Sequence, residues 1–124
     1  MKETPVTKKI REHVLKKYGT TLHKYHGDMY GETGVADLFG TMPDGRAIYI
    51  EVKKPFTKSE LNAFLKSDRY HNQRTWLERE ARLGAIAMFA NQVEHVDNSI
   101  TLFYENLKSS IKSGVFLNLD KGTS

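Results

Sequence analysis

The chain has 124 residues, 19 basic against 15 acidic for a net charge of +4, and no cysteine. That length suits one domain, residues 1–124, with a real core and too little chain for a second; the lack of thiols excludes disulfides, thiolate zinc sites and a cysteine nucleophile. No apolar run approaches a membrane span and no signal-peptide core is visible, so a soluble cytoplasmic setting without membrane contact is expected, and the mild basic excess suits a polyanionic partner.

Thr4 to Tyr18 reads as a helix. Thr4 can cap, Pro5 suits the first turn and Gly19 suits the stop, with Val6, Ile10 and Val14 as the apolar stripe. The opposite face carries Lys8, Lys9, Arg11, Lys16 and Lys17, which reads as a solvated face or one that brushes phosphates. Thr20 to His26 alternates as a short strand. Gly27 to Gly34 then reads as loop, with three glycines suited to flexibility or to close approach of a ligand. His23 and His26 lack a third histidine at metal-site spacing, so packing or surface roles are expected of them.

The next segment is a β-hairpin, with arms over about Ala36 to Met42 and Arg46 to Lys54. Pro43-Asp44-Gly45 has the chemistry of a three-residue loop: Pro presets φ, Asp suits the next position and Gly takes the left-handed one. Loop length fixes register. Met42 then pairs with Arg46, Asp37 sits opposite Glu51, and Lys53 points the same way one pleat further on. Ile48, Ile50 and Val52 face the other side, as core. A two-residue loop would instead put the two acids on opposite faces.

Pro55 ends the second arm. Thr57 or Ser59 can start a helix marked by Leu61, Phe64 and Leu65, and the run Ser59 to Asn62 lacks a full capping box. The polar run Lys66 to Tyr70 breaks that helix. A second helix is expected from about His71 to Leu83, with Trp76 and Leu77 as core and Gly84 as the stop. Ala85 to Ala90 is an apolar run that reads as a buried strand parallel to the second hairpin arm. Asn91 to Ser99 is expected as loop or frayed turn. Ile100, Phe103, Tyr104, Leu107 and Ile111 mark a last helix stopped by Gly114. Val115 to Leu119 adds a small edge strand or packs down, and the Lys121 to Ser124 tail is expected to be loose. The fold class is therefore α/β: a small mixed β-sheet with a central antiparallel hairpin, flanked by helices.

Two carboxylates facing each other repel. With a lysine beside them they are suited to hold Mg²⁺ or Mn²⁺ at a phosphate. A metal there polarises a phosphoryl oxygen and lowers the pKa of a bound water, and the ammonium can orient that water or stabilise developing charge. The same residues would also serve as a plain charge cluster on a two-sided polar hairpin.

Asp37 followed a hairpin later by Glu51-Val52-Lys53 resembles the PD-(D/E)xK nuclease signature. The wider run, Gly34-Val35-Ala36-Asp37-Leu38, Asp44-Gly45-Arg46 and Ile50-Glu51-Val52-Lys53-Lys54-Pro55, resembles the virus-type replication-repair nuclease (VRR-NUC) family of that superfamily. Gln73, Trp76, Leu77, Gly84 and Ala85 to Phe89 match its downstream helix and strand. Glu3 with Val6, Ile10 and Val14 matches its first helix, so the resemblance spans about residues 3–90. Ala36 stands where the family has proline, and the stretch from Pro55 to Gln73 is longer than the family pattern.

The resemblance implies a restriction-endonuclease-like core and a metal-dependent DNA endonuclease, in a phage or viral setting, whose relatives act on branched DNA such as four-way junctions. It implies Asp37, Glu51 and the Val52 carbonyl as metal ligands for Mg²⁺ or Mn²⁺. Lys53 is expected to position or activate the water, Glu3 to reach the metal through water with Glu12 as its substitute, and Gln73 to orient Lys53 or touch phosphate. Lys24, Lys54, Lys58, Arg69 and Arg74 are candidates for backbone contacts. One such domain makes one cut, so symmetric cutting of two strands implies a homodimer, with Phe103, Tyr104 and Leu107 or the edge after Gly114 as candidate surfaces. The competing reading is a non-cleaving nucleic-acid-binding module with a nuclease-like fold.

Overall fold

Local chemistry sets the ends of the first helix. In the computed structural model, which describes residues 3–25 and 34–119, α1 spans Pro5–Tyr18. Thr4 Oγ1 accepts the Thr7 backbone N–H at 3.2 Å. Gly19, at φ 75°, returns its N–H to the Leu15 carbonyl. Two basic residues in the last turn, Lys16 and Lys17, complement the helix dipole.

β1 (His23–Lys24), β2 (Leu38–Thr41) and β3 (Ala47–Val52) follow. The strand expected over Thr20 to His26 shrinks to two residues. Thr20 Oγ1 instead bonds the Thr41 carbonyl, and the Leu22 carbonyl is taken by Arg11 Nε. His26, the glycine-rich loop through residue 33 and the tail from residue 121 lie outside the described residues. The hairpin turn is the expected one. Met42 N–H donates to the Arg46 carbonyl at 2.7 Å, Gly45 N–H to the Met42 carbonyl at 2.8 Å, and Gly45 has φ 92°. The resulting register pairs Leu38 with Ile50 and Phe39 with Tyr49.

Beyond the hairpin come α2 (Lys58–Leu65), α3 (Asp68–Arg82), β4 (Ile86–Ala90) and α4 (Val93–Lys108). α2 begins at Thr57 with a full capping box: Thr57 Oγ1 accepts Glu60 N–H, and Glu60 Oε1 accepts Thr57 N–H. α3 starts three residues earlier than expected, because Ser67 Oγ caps Tyr70 N–H at 3.1 Å. The expected loop over Asn91 to Ser99 is instead the first half of α4. Its start is tied by His95 Nδ1, which accepts the Asn91 N–H at 3.2 Å. Val96, Ser99 and Ile100 then bury the same stripe as Phe103. α4 ends at Lys108, leaving Ile111 outside it and exposed. Phe116 makes a single bridge to Met88, which is all that forms of the edge strand over Val115 to Leu119.

The sheet order is β1-β2-β3-β4, antiparallel except for the parallel β3–β4 pair. This is the mixed α/β class expected. α1 and α4 cover one face, packing Ile10, Val14, Val96 and Ile100 against Leu38, Ile48, Ile50 and Met88. α2 and α3 lie on the other, where Phe56, Tyr70, Leu77 and Ala81 meet Ala36, Ala87 and Phe89. Each fully buried aliphatic or aromatic side chain there contributes about 1.5–3 kcal/mol. Among the described residues no helix is long and apolar enough to cross a membrane.

Candidate active site

The turn decides which side chains meet at the far end of the hairpin. One step beyond the Leu38–Ile50 pair, the register sets Asp37 opposite Glu51. The two strands are laced there by side chains rather than by a regular ladder. Asp37 N–H donates to Glu51 Oε1 at 3.2 Å, and Val52 N–H donates to Asp37 Oδ2 at 3.0 Å. Each carboxylate therefore accepts a backbone N–H from the other strand, which fixes both.

Lys53 follows on the same face. Its backbone N–H reaches the Ala90 carbonyl at 2.9 Å, carrying the parallel pairing one residue past β3. Its Nζ lies 3.1 Å from Glu51 Oε2, with the side chain only 10% exposed. The ammonium also sits 4.7 Å from the centre of the Phe64 ring on α2. From α3, Gln73 Nε2 donates to the same Glu51 oxygen at 2.9 Å. Asp37, Glu51, Lys53 and Gln73 are thus one connected cluster.

Glu51 is 1% exposed. Desolvation pushes its carboxyl up to about 7, the Asp37 charge pushes the same way, and Lys53 offsets only part of this. Gln73 Oε1 is buried and has no hydrogen-bond partner among the described residues. The close approach of chain and helix depends on Gly34. It has φ 81°, and a Cβ there would stand 2.4 Å from the Asn72 carbonyl oxygen.

Other expected residues lie apart from this cluster. Glu3 ion-pairs with Arg11 at 2.7 Å, so its carboxylate is engaged on α1. Glu12 is exposed on α1. Lys54 pairs with Glu60, and Arg74 with Glu78 and the Tyr70 hydroxyl. Lys58 and Arg69 are exposed, and Lys24 is half-buried in β1. Phe103 is core at 4% exposure, which removes it from the candidate dimer surfaces, while Leu107 stays exposed. Phe64 is the contributor that sequence reasoning missed. Its signal lay in the aromatic run Phe56, Phe64 and Tyr70: Phe64 stacks on Phe56 and meets Tyr70 edge-on, each at 5.2 Å.

Fold and site together define a small mixed α/β domain with a buried carboxylate–lysine–glutamine cluster at the carboxyl end of a hairpin strand. Comparison of the chain with protein-family models, with curated proteins and with solved structures finds no match.

The residues fit a hard divalent cation on their donor set. Among the described residues no group of three or more histidine, aspartate or glutamate side chains converges. The donors are the carboxylate pair and the Val52 carbonyl between Glu51 and Lys53, a set suited to Mg²⁺ or Mn²⁺ that keeps waters and substrate phosphate as its remaining ligands. Desolvation first and the Asp37 charge second raise the Glu51 pKa, and a cation between the two acids would offset both.

Proposed function

We propose that the chain is a metal-dependent endodeoxyribonuclease that hydrolyses phosphodiester bonds, of the VRR-NUC type its motif resembles. One observation supports the reading: Asp37 and Glu51 are laced together across the end of the hairpin, Asp37 N–H on Glu51 Oε1 at 3.2 Å and Val52 N–H on Asp37 Oδ2 at 3.0 Å, with Lys53 Nζ 3.1 Å from Glu51. Asp37, Glu51 and the Val52 carbonyl would hold the cation. When bound, Mg²⁺ or Mn²⁺ supplies polarisation of a phosphoryl oxygen and an acidified water. Lys53 keeps an ammonium beside the reacting phosphate, where it orients the water and stabilises charge on the equatorial oxygens. Gln73 holds Glu51 Oε2 in place and, through it, Lys53. Glu3, engaged by Arg11, is left out of this machinery. Branched DNA is the proposed substrate, with a homodimer for paired cuts.

The test is a Mg²⁺-dependent cleavage panel comparing linear duplex, flap and four-way junction. Lys53→Ala should abolish cleavage while Mn²⁺ binding, read by calorimetry, and DNA affinity stay close to wild type. Wild-type protein that cuts none of these, or a Lys53→Ala variant that cuts normally, would overturn the reading.

A further inference from the structure

The sheet face that carries the two acids is only partly roofed. α2 and α3 close it over Glu51, Ala87 and Phe89, and among the described residues none covers the end nearer the hairpin turn. A cavity of about 470 Å³ lies there, lined by Thr21, His23, Phe39, Thr41, Ala47 and Tyr49 with Gly40. Strand alternation places these side chains. Phe39 and Thr41 share one face of β2, and Ala47, Tyr49 and Glu51 share it on β3, with Asp37 just before β2 bonded to Glu51 through its N–H. Phe39 pairs with His23 on one side and Tyr49 on the other. The row His23–Phe39–Tyr49 therefore crosses three strands, one pleat, or roughly 7 Å, from the Asp37–Glu51 row.

Tyr49 packs partly against the α2–α3 core, but Phe39 at the middle of the row does not. Phe39 belongs to neither hydrophobic cluster and is 36% exposed. The His23 and Phe39 rings lie 5.4 Å apart and tilted by 34°. Tyr49 extends the row to Trp76, which meets it edge-on at 4.9 Å. The lining contains no acidic residue, although the Glu80 charge reaches Tyr49 at its edge. Open ring faces flanked by threonines suit a planar, weakly polar group. A strand whose phosphate occupies the carboxylate site must run its neighbouring bases either over this row or away from the sheet.

The geometry points to a stacking shelf, built on His23, Phe39 and Tyr49, for unpaired bases of single-stranded DNA beside the scissile phosphate. The inference rests on the nuclease reading of the Asp37–Glu51 site and deepens it. Bases inside a duplex already have both faces stacked, so the shelf selects DNA with unpaired nucleotides next to the cut.

The test uses metal-free protein in EDTA, so that nothing is cleaved. The probes are fluorescein-labelled oligothymidylate, an abasic oligonucleotide of equal length and a blunt duplex, read by anisotropy. Trp76, the single tryptophan, gives a second readout through its contact with Tyr49. Oligothymidylate should bind more tightly than the abasic strand. Phe39→Ala should weaken that binding on the order of tenfold with duplex affinity unchanged, and Phe39→Tyr should restore it, as expected for loss and return of one stacked base. Urea unfolding of each variant establishes that it is folded.

Equal binding of thymidylate and abasic strands overturns the shelf. So does a folded Phe39→Ala variant with unchanged affinity, or one whose only change is loss of self-association in sedimentation, which would assign this face to a second copy of the chain. Mg²⁺-dependent cleavage with no shelf effect removes the shelf alone. A working shelf on protein that cuts nothing removes the nuclease reading alone.

Discussion

Replacing Glu51 by Gln should stabilise the metal-free protein above neutral pH while abolishing cleavage. The Glu51 carboxyl is raised from 4.5 to about 7, by desolvation first and by Asp37 second, with Lys53 opposing. Between those values the native state holds a proton that the unfolded chain has released, so stability falls as pH rises through the window and the whole penalty is present above it. The span corresponds to about 3 kcal/mol. A Gln side chain keeps the shape and its oxygen still accepts from Lys53 and Gln73, while its NH₂ replaces the oxygen that accepts the Asp37 N–H, a loss that offsets about 1 kcal/mol of the gain. Glu51→Gln should therefore gain up to about 2 kcal/mol at pH 8, shrinking to near zero at pH 5, where native Glu51 is already protonated. Urea titrations in EDTA at the two pH values, followed by Trp76 fluorescence, measure the difference. Adding Mn²⁺ at pH 8 should then stabilise wild type and leave the variant unmoved. A variant less stable than wild type at pH 8, or a gain equal at both pH values, would refute an uncompensated charge at Glu51.

Asp97→Asn should loosen the α1–α4 contact by about 1–3 kcal/mol, since Asp97 accepts from the Tyr18 hydroxyl at 2.6 Å and pairs with His13 and Lys17. Burial raises the Asp97 carboxyl, but the hydrogen bonds from Tyr18, His13 and Lys17 outweigh it and leave the pKa below 3.8. Its stabilisation is then present above the unfolded value and lost as pH falls through the folded one, so the variant should show a shallower acid limb in urea titrations; parallel limbs would remove Asp97 as the cause. Gly34→Ala should cost about 2 kcal/mol or more and reduce cleavage, because a Cβ at φ 81° meets the Asn72 carbonyl oxygen, a backbone atom next to Gln73; unchanged urea stability would refute the contact.

What could be read from the residues was what short-range chemistry determines. Pro43-Asp44-Gly45 admits one loop length, loop length admits one register, and that register alone sets Asp37 opposite Glu51. Thr4, Pro5 and Gly19 likewise mark both ends of α1. The misreadings share a different cause. The start of α4 is tied by an imidazole that only becomes an acceptor once His95 folds back on Asn91. Glu3, expected near the metal from the family resemblance, forms an ion pair with Arg11, which is itself anchored to the Leu22 carbonyl in the chain leading to β1.

The open shelf has the same origin as these misreadings. The sequence of β2 reads the same whether its Phe39 face is roofed or bare, because the answer depends on where α3 crosses the sheet. α3 crosses over β4 and the end of β3, bringing Gln73 onto Glu51 and Trp76 onto Tyr49, and stops short of β2. The placement that buries Glu51 enough to raise its pKa is thus the one that leaves Phe39 uncovered. Burial of the acid and exposure of the rings are therefore two consequences of one packing choice.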